Sequence, residues 1–279
     1  SSLFVLAAQY EFKLADKLVG IIGCGQIGSR LAQTLSIMGV QCLCNDPPLK
    51  EITGEDKYCD LRDVLQADII NLHVPLTISG RHATRQLVNA QFLAQMQPGA
   101  ILINTSRGAV VDEGALKDAL RRNRFPVVLD VWANEPAIDL ELLASVDIGT
   151  PHIAGYTNDA RLRATVMIYR RLCEHLQLPG AWRPDAELAQ LPVNEIGIDA
   201  DTGTLDGLEL AILSHYDIRA DAVALRKSVH MPAPAAICYF DELRKNYPVR
   251  REFAATTIRH SGERLAGMLE KLGFRVVSH

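Results

Sequence analysis

The sequence predicts an α/β chain in which a doubly wound parallel sheet is followed by a small α+β module. Three observations lead there. Short β-branched runs alternate with one-faced helical patterns from residue 17 to about 150. A glycine-rich turn falls where the first run meets the first helical pattern. Past residue 177 a stretch with three prolines separates this region from shorter, mixed strand and helix signals. With 279 residues, 48% of them hydrophobic and 22% charged, the chain has material for roughly two packed domains.

The strand signals come in order as "LVGIIG" (18–23), "VQCLCN" (40–45), "DIINLH" (68–73), "AILINT" (100–105), "VVLDVW" (127–132) and "VDIGTP" (146–151). After Gly25, the apolar residues Ile27, Leu31, Leu35 and Met38 recur at helical spacing until Gly39 ends the pattern. In "VVDEGALKDALRR", Asp112 is placed to cap a helix whose Leu116 and Leu120 share a face. Strand–helix alternation of this kind implies parallel strands joined by crossover helices. A long helix over about 158–177 closes the region, and 178–194 ("LPGAWRPDAELAQLPVN") reads as a linker. Beyond it come a strand near 194–199, helices in "LDGLELAILSHY" and "CYFDELRKNY", a strand in "EFAATTIR", a helix in "GERLAGMLEKLG" and a final strand "FRVVSH".

Composition excludes several classes. A net charge of −4 is a poor electrostatic match for nucleic acid or an anionic membrane surface. The early apolar run "LFVLAA" is too short for a membrane span and lacks the basic flank of a signal peptide. The six cysteines form no CxxC pair and no zinc-finger spacing with histidine, so no metal site is expected and they read as small buried hydrophobes in a reducing cytoplasm.

"GCGQIG" places Gly23, Gly25 and Gly28 in a G-x-G-x-x-G pattern with a strand entering and a helix leaving. Such glycines allow a tight turn, a close backbone approach to a pyrophosphate and close helix–strand packing, with the helix N-terminus facing the anion. Asp46 ends the second strand 18 residues after Gly28, where a carboxylate accepts from ribose hydroxyls and repels a 2′-phosphate. The expected cofactor is therefore NAD. Arg107, Glu135 and His152 each follow a strand on the side where such sheets bind ligands. Together they supply what oxidation of a 2-hydroxy acid needs: a histidine base, a carboxylate to orient it, and an arginine for the substrate carboxylate.

Five motifs, "GCGQIG", "HVPLT", "INTSRGAVVDEGAL", "LDVWANEP" and "TPHIAGYT", resemble the D-isomer-specific 2-hydroxyacid dehydrogenases in order and spacing. The resemblance implies a Rossmann-like NAD-binding domain over 1–157 that begins with the end of an interdomain helix. It also implies catalytic roles for Arg107, Glu135 and His152. NAD contacts are implied at Gly23, Gly25, Gln26, Ile27, Gly28, Asp46, Thr105, Ser106, Asp130 and Gly155, and at Val74, which stands where a polar residue is expected. The family's substrate-binding half, roughly a hundred residues that precede the nucleotide domain, is expected to be missing from this sequence.

Further along, "LRKS", "FDELRKNYPVRREF" and "LEKLGFRVV" resemble a branch of the family that oxidises 4-phospho-D-erythronate on the way to pyridoxal phosphate. That branch implies a connecting helix and linker over 158–182, a C-terminal dimerisation domain over 183–279, a homodimer, and a substrate contact at Tyr156. Arg244, Lys245, Arg250 and Arg251 put four cations within eight residues. Either this is a solvated basic face, or one of Arg250 and Arg251 reaches the substrate phosphate; adjacent residues in extended chain point opposite ways. Two other readings stand beside this one. The first is a phosphoglycerate dehydrogenase with a regulatory C-terminal module. The second is a non-catalytic NAD-sensing scaffold, for which the proton-transfer pair would be superfluous.

Overall fold

In the computed structural model, residues 1–183, 185–260 and 262–277 are described. Pro184, in the expected linker, and Ser278 and His279, at the end of the expected last strand, lie outside them. The chain divides into two compact units: Ser1–His152 with Ile218–Lys245, and Ile153–Asp217 with Asn246–His279.

Among the described residues, unit 1 holds a six-stranded parallel sheet of order β2-β1-β3-β4-β5-β6. The strands are β1 (Leu18–Ile22), β2 (Gln41–Asn45), β3 (Ile69–Leu72), β4 (Ile101–Asn104), β5 (Val127–Leu129) and β6 (Ile148–Gly149). β3, β4 and β5 are buried along their whole length, as strands covered on both faces must be. Edge strand β2 is largely half-exposed and accordingly carries more polar residues. Strand order reverses between β1 and β3, so their carboxyl ends open the crevice where such sheets bind ligands.

Helices α1 (Ser2–Gln9), α2 (Gln26–Ile37), α3 (Pro47–Thr53), α4 (Leu61–Val64), α5 (Ala90–Gln95), α6 (Glu113–Arg122) and α7 (Leu140–Ser145) belong to this unit. Leu116 and Leu120 of α6 enter its core with Ile70, Leu72, Leu102 and Leu129. The strand expected over 127–132 stops at Leu129. Past it, the Trp132 N–H turns away from any ladder to the Glu135 carboxylate.

Unit 2 contains α8 (Asn158–Leu176), α9 (Asp185–Ala189), β7 (Asn194–Gly197) and α10 (Thr204–His215), with β8 (Thr256–Arg259), α13 (Glu263–Leu272) and β9 (Arg275–Val277) after the second crossing. Its strands form a parallel sheet of order β7-β8-β9. Leu208 and Ala211 of α10 and Leu265 and Leu269 of α13 are buried, and Gly207 lets the two helices approach closely beside Leu265. Phe253 stacks on Phe274 at 4.2 Å, and the His215 ring meets both edge-on. Phe253–Ala255 is a 3-10 turn, which shortens the strand expected in "EFAATTIR".

The expected boundary at residue 183 is not where the contacts divide. Helices α11 (Ile218–Arg226) and α12 (Ala233–Lys245) join unit 1, and Leu225 and Phe240, both fully buried, enter the same core as Leu142, Leu143 and Val146. The Arg226 guanidinium fixes α11 there by donating to the Val146 and Asp147 carbonyls. Among the described residues no helix is long and apolar enough to cross a membrane.

Replacing Phe240 with Ala should therefore destabilise unit 1 by about 3–5 kcal/mol, as expected for a buried aromatic. Urea unfolding followed by the fluorescence of Trp132, a unit 1 core residue, should show an earlier midpoint; an unchanged midpoint would exclude α12 from that core.

Candidate active site

The first strand–helix junction is shaped by two glycines that have no room and one that has plenty. Gly23 lies at φ +91°, and a Cβ on it would sit 2.7 Å from the His73 carbonyl carbon. A Cβ on Gly28 would sit 1.9 Å from the Gly23 oxygen, so α2 can start this close to β1 only with glycine there. Gly25 differs: it caps α2 at an ordinary φ of −67°, and a Cβ there would meet nothing within 4 Å. No side chain caps α2 either, so its first N–H groups face outward beside that open space. Ile27, on the first turn, is 63% exposed. Such a junction fits a pyrophosphate laid against the helix N-terminus.

Asp46 ties the far wall together. Its Oδ2 accepts from the Cys24 N–H at 2.8 Å and its Oδ1 from the Leu49 N–H at 3.0 Å, so one carboxylate pins the glycine turn and caps α3. Each oxygen keeps a second lone pair for a ribose hydroxyl. Gly23, Gly25, Asp46, His73, Val74 and Thr84 are among the residues lining a cleft of about 340 Å³. Burial pushes the His73 imidazole down from its usual 6.5 to about 4, and its Nε2 is buried with no hydrogen-bond partner among the described residues.

The carboxyl ends of β4, β5 and β6 bring the three proposed catalytic side chains into one unit. After β4, fully buried Asn104 organises the turn: its Oδ1 accepts from the Ser106 N–H and hydroxyl, and its Nδ2 donates to the Arg107 carbonyl. Arg107 is exposed, and its Nη1 donates to the Ser106 carbonyl. Thr105, half-buried, opens the same turn. Next in the chain, a Cβ on Gly108 would sit 1.9 Å from the Trp132 carbonyl carbon, so the turns after β4 and β5 touch through backbone.

After β5, Glu135 folds back. Its Oε1 accepts from the Trp132 N–H at 2.8 Å, and its Oε2 meets His152 Nδ1 at 2.6 Å. A carboxylate at that distance makes Nδ1 the proton-bearing nitrogen and leaves Nε2 to face a substrate. His152 sits in the left-handed region at φ +57°, where non-glycine residues are uncommon. Its loop is fixed by Thr150, whose hydroxyl donates to buried Asp130 at 2.6 Å and whose carbonyl accepts from the Trp132 indole at 3.0 Å. His152 remains 34% exposed and Glu135 18%, so the pair is shielded yet reachable.

Gly155, Tyr156, Arg250 and Arg251 belong to unit 2 and are described within it. A Cβ on Gly155 would meet nothing within 4 Å. Tyr156 packs edge-on against Tyr247 at 5.8 Å, with the Arg161 guanidinium 5.6 Å from its ring. Arg250 donates to the Ile153 and Ala154 carbonyls and the Tyr247 hydroxyl, and stacks over Tyr216 at 4.4 Å. Arg251 makes a forked pair with Asp159, Nε at 2.9 Å and Nη2 at 3.2 Å, and its Nη1 donates to the Leu191 and Pro192 carbonyls. Burial pushes the Asp159 carboxyl up, but the Arg251 guanidinium and the Glu252 N–H outweigh it and hold the group below the usual range. The two adjacent arginines thus bind different partners, as extended chain requires.

Sequence reasoning missed Asn104, His73, Trp132 and Thr150. All four lay at the ends of predicted strands, but nothing in residue type alone showed which neighbour they hold.

Residues 6–154 match the family model for the D-isomer specific 2-hydroxyacid dehydrogenase, NAD binding domain, and residues 188–273 match a domain of unknown function, DUF3410. The chain belongs to the D-isomer specific 2-hydroxyacid dehydrogenase family and is an NAD-dependent dehydrogenase. Within the family it is similar to erythronate-4-phosphate dehydrogenases. It is 44% identical over 286 residues to that of Hahella chejuensis, covering 100% of this chain and 74% of the relative. It is 40% identical over 285 residues to that of Chromohalobacter salexigens, covering 99% and 73%. The solved TT0316 protein of Thermus thermophilus shares the fold at 27% identity and a TM-score of 0.53, over 64% of this chain and 65% of that one.

Two outcomes follow from this geometry. Asp46→Asn keeps an oxygen to cap α3 but removes the charge, so calorimetry should show weaker NAD binding and a narrowed gap to NADP; equal affinities in the unmodified protein would refute selection by Asp46. Because His73 binds a proton more readily unfolded than folded, its contribution to stability is complete above pH 6.5 and is lost as the pH falls towards 4. Chemical unfolding across that window should lose roughly 1.4 kcal/mol per pH unit from this group, and the slope should shrink in His73→Asn.

Proposed function

We propose that this chain catalyses the NAD-dependent oxidation of 4-phospho-D-erythronate to its 2-oxo acid, a step towards pyridoxal phosphate. The observation that carries the reading is the Glu135–His152 pair at 2.6 Å, set beside the Arg107 turn at the carboxyl end of an NAD-binding sheet. The relatives' name, erythronate-4-phosphate dehydrogenase, supports the substrate.

NAD bound along the cleft supplies the hydride acceptor. Gly23, Gly25, Gln26, Ile27 and Gly28 would carry its pyrophosphate at the α2 N-terminus, and Asp46 its adenosine ribose. Val74, Thr105, Ser106, Asp130 and Gly155 are the further proposed contacts. His152 Nε2 takes the C2 hydroxyl proton as the C2 hydride departs, and Glu135 holds the resulting imidazolium through Nδ1. Arg107 pairs with the substrate carboxylate and draws charge towards the developing carbonyl. Tyr156 is the proposed contact to the substrate chain. Of the two candidate phosphate ligands, Arg250 is favoured over Arg251, because Asp159 already neutralises the latter.

A homodimer formed through the C-terminal module and a cytoplasmic location complete the proposal; the cysteines are all free thiols, in keeping with a reducing compartment.

Nicotinamide absorbance during turnover tests the reading, with 4-phosphoerythronate oxidised far faster than 3-phosphoglycerate. His152→Ala should lower kcat by roughly 10²–10⁴ with NAD affinity retained. Glu135→Gln should lower kcat with NAD affinity retained, since the neutral amide no longer carries the charge that holds the imidazolium formed on His152. An unaltered kcat would break the pairing, and absence of turnover with any 2-hydroxy acid would favour a sensing scaffold.

A further inference from the structure

Two consecutive peptide N–H groups at the end of β5 are each taken by a carboxylate, and the two carboxylates come from different directions. The Trp132 N–H goes to Glu135, three residues on, and the Ala133 N–H goes to Glu113 Oε1 at 2.8 Å. Glu113 is the first residue of α6, a helix anchored by Leu116 and Leu120 in the core and capped by Asp112 through the Ala115 N–H. The turn that carries Glu135 is thus held from within by Glu135 and from outside by a carboxylate on a rigid element. Asp139 and Lys117 flank Glu113, and Lys117 pairs with Asp139 at 2.5 Å and with Glu141 at 3.2 Å. Burial pushes the Glu113 carboxyl up from its ordinary value, against the pull of the Ala133 N–H, so a half-buried carboxylate is kept here in spite of its desolvation.

We propose that Glu113 is a positioning residue for the reaction: by accepting from the Ala133 N–H it fixes the 132–135 turn and so sets where Glu135 holds His152. This rests on the reading of Glu135 and His152 given above. Glu113 hydrogen-bonds to neither of them; its charge and that of Glu135 repel each other, but its positioning effect acts through the backbone between them and the helix. A displacement of the turn by a fraction of an ångström would lengthen a Glu135–His152 contact that is now 2.6 Å, and misplacements near 1 Å cost on the order of 10² in rate.

Three variants separate reach from charge. Glu113→Gln keeps an oxygen at the same reach without the charge, Glu113→Asp keeps the charge but withdraws the oxygen by one methylene, and Glu113→Ala removes both. Turnover with NAD and 4-phosphoerythronate is measured beside NAD affinity, thermal melting and the 15N-edited proton resonance of His152 Nδ1–H. If the proposal holds, Glu113→Gln stays within about threefold of the unmodified kcat, while Asp and Ala lose on the order of tenfold to a hundredfold with NAD affinity unchanged. The Nδ1–H resonance, displaced far downfield by its short hydrogen bond, should persist in Gln and broaden or move in Asp and Ala. Equal losses in Gln and Asp, or an unaltered resonance and kcat in Asp, would overturn it. Should Ala fail to fold, the Gln–Asp comparison still decides. Should the unmodified protein not turn over this substrate, the functional reading fails, and the resonance still reports on Glu113 by itself.

Discussion

Gly108 lies so close to the end of β5 that a Cβ on it would sit 1.9 Å from the Trp132 carbonyl carbon and 2.4 Å from the Ala133 nitrogen. The turn bearing Arg107 and the turn bearing Glu135 are therefore in direct backbone contact, and their separation is set by main-chain van der Waals radii rather than by adaptable side chains. Neither turn can drift without the other. From that contact the rest is assembled by single hydrogen bonds: Asn104 to the Arg107 turn, Trp132 to Glu135 on one side and to Thr150 on the other, Thr150 to Asp130. His152 then closes the set through Glu135. A backbone contact is a stiff foundation for the proposed acid–base pair, since such pairs lose rate steeply with misalignment.

The nucleotide side of the sheet follows a different logic. There the glycine turn and α3 have no shared core, and Asp46 couples them with two hydrogen bonds from one carboxylate. In the proposed reading that carboxylate would serve selection as well as structure, because the same charge that would repel a 2′-phosphate also holds the Cys24 N–H. Selection between two cofactors would then be built from a residue the loop needs to stand in its shape. Val74, apolar where a polar side chain is expected, lines the same cleft and makes its wall depend more on shape than on hydrogen bonding.

The sheet was legible because its strands are buried on both faces and read as unbroken apolar runs, and because Gly23, Gly25 and Gly28 mark the first turn. The placement of the three proposed catalytic residues was legible for a related reason: each follows a strand, so strand placement alone put Arg107, Glu135 and His152 at one end of the sheet. Short helices were less visible. α3 carries Pro47 and Pro48 behind a capping Asp46, a recognisable helix start, but at seven residues it offers no periodicity to weigh. α11 was not anticipated at all, and the allegiance of α12 was hidden, since an apolar helix face shows that it is buried without showing against what. For the same reason Arg250 and Arg251 looked like free cations: the carbonyls of Ile153 and Leu191 that occupy them carry no sequence signature.

Because α11 and α12 fill out the core of the first unit, that unit is discontinuous along the chain. A ribosome that has released the chain as far as His152 has delivered every strand of the large sheet, yet the surface around Leu142, Leu143 and Val146 still lacks Leu225 and Phe240. The nascent sheet must wait, with an apolar flank in water, until residue 245 emerges, and in that interval it offers a site for chaperones. The same arithmetic governs dissection of the gene. A fragment that stops at His152 would carry the glycine turn, Asp46 and most of the proposed nucleotide contacts and would still expose that flank, so solubility, rather than cofactor recognition, would be the first property to fail.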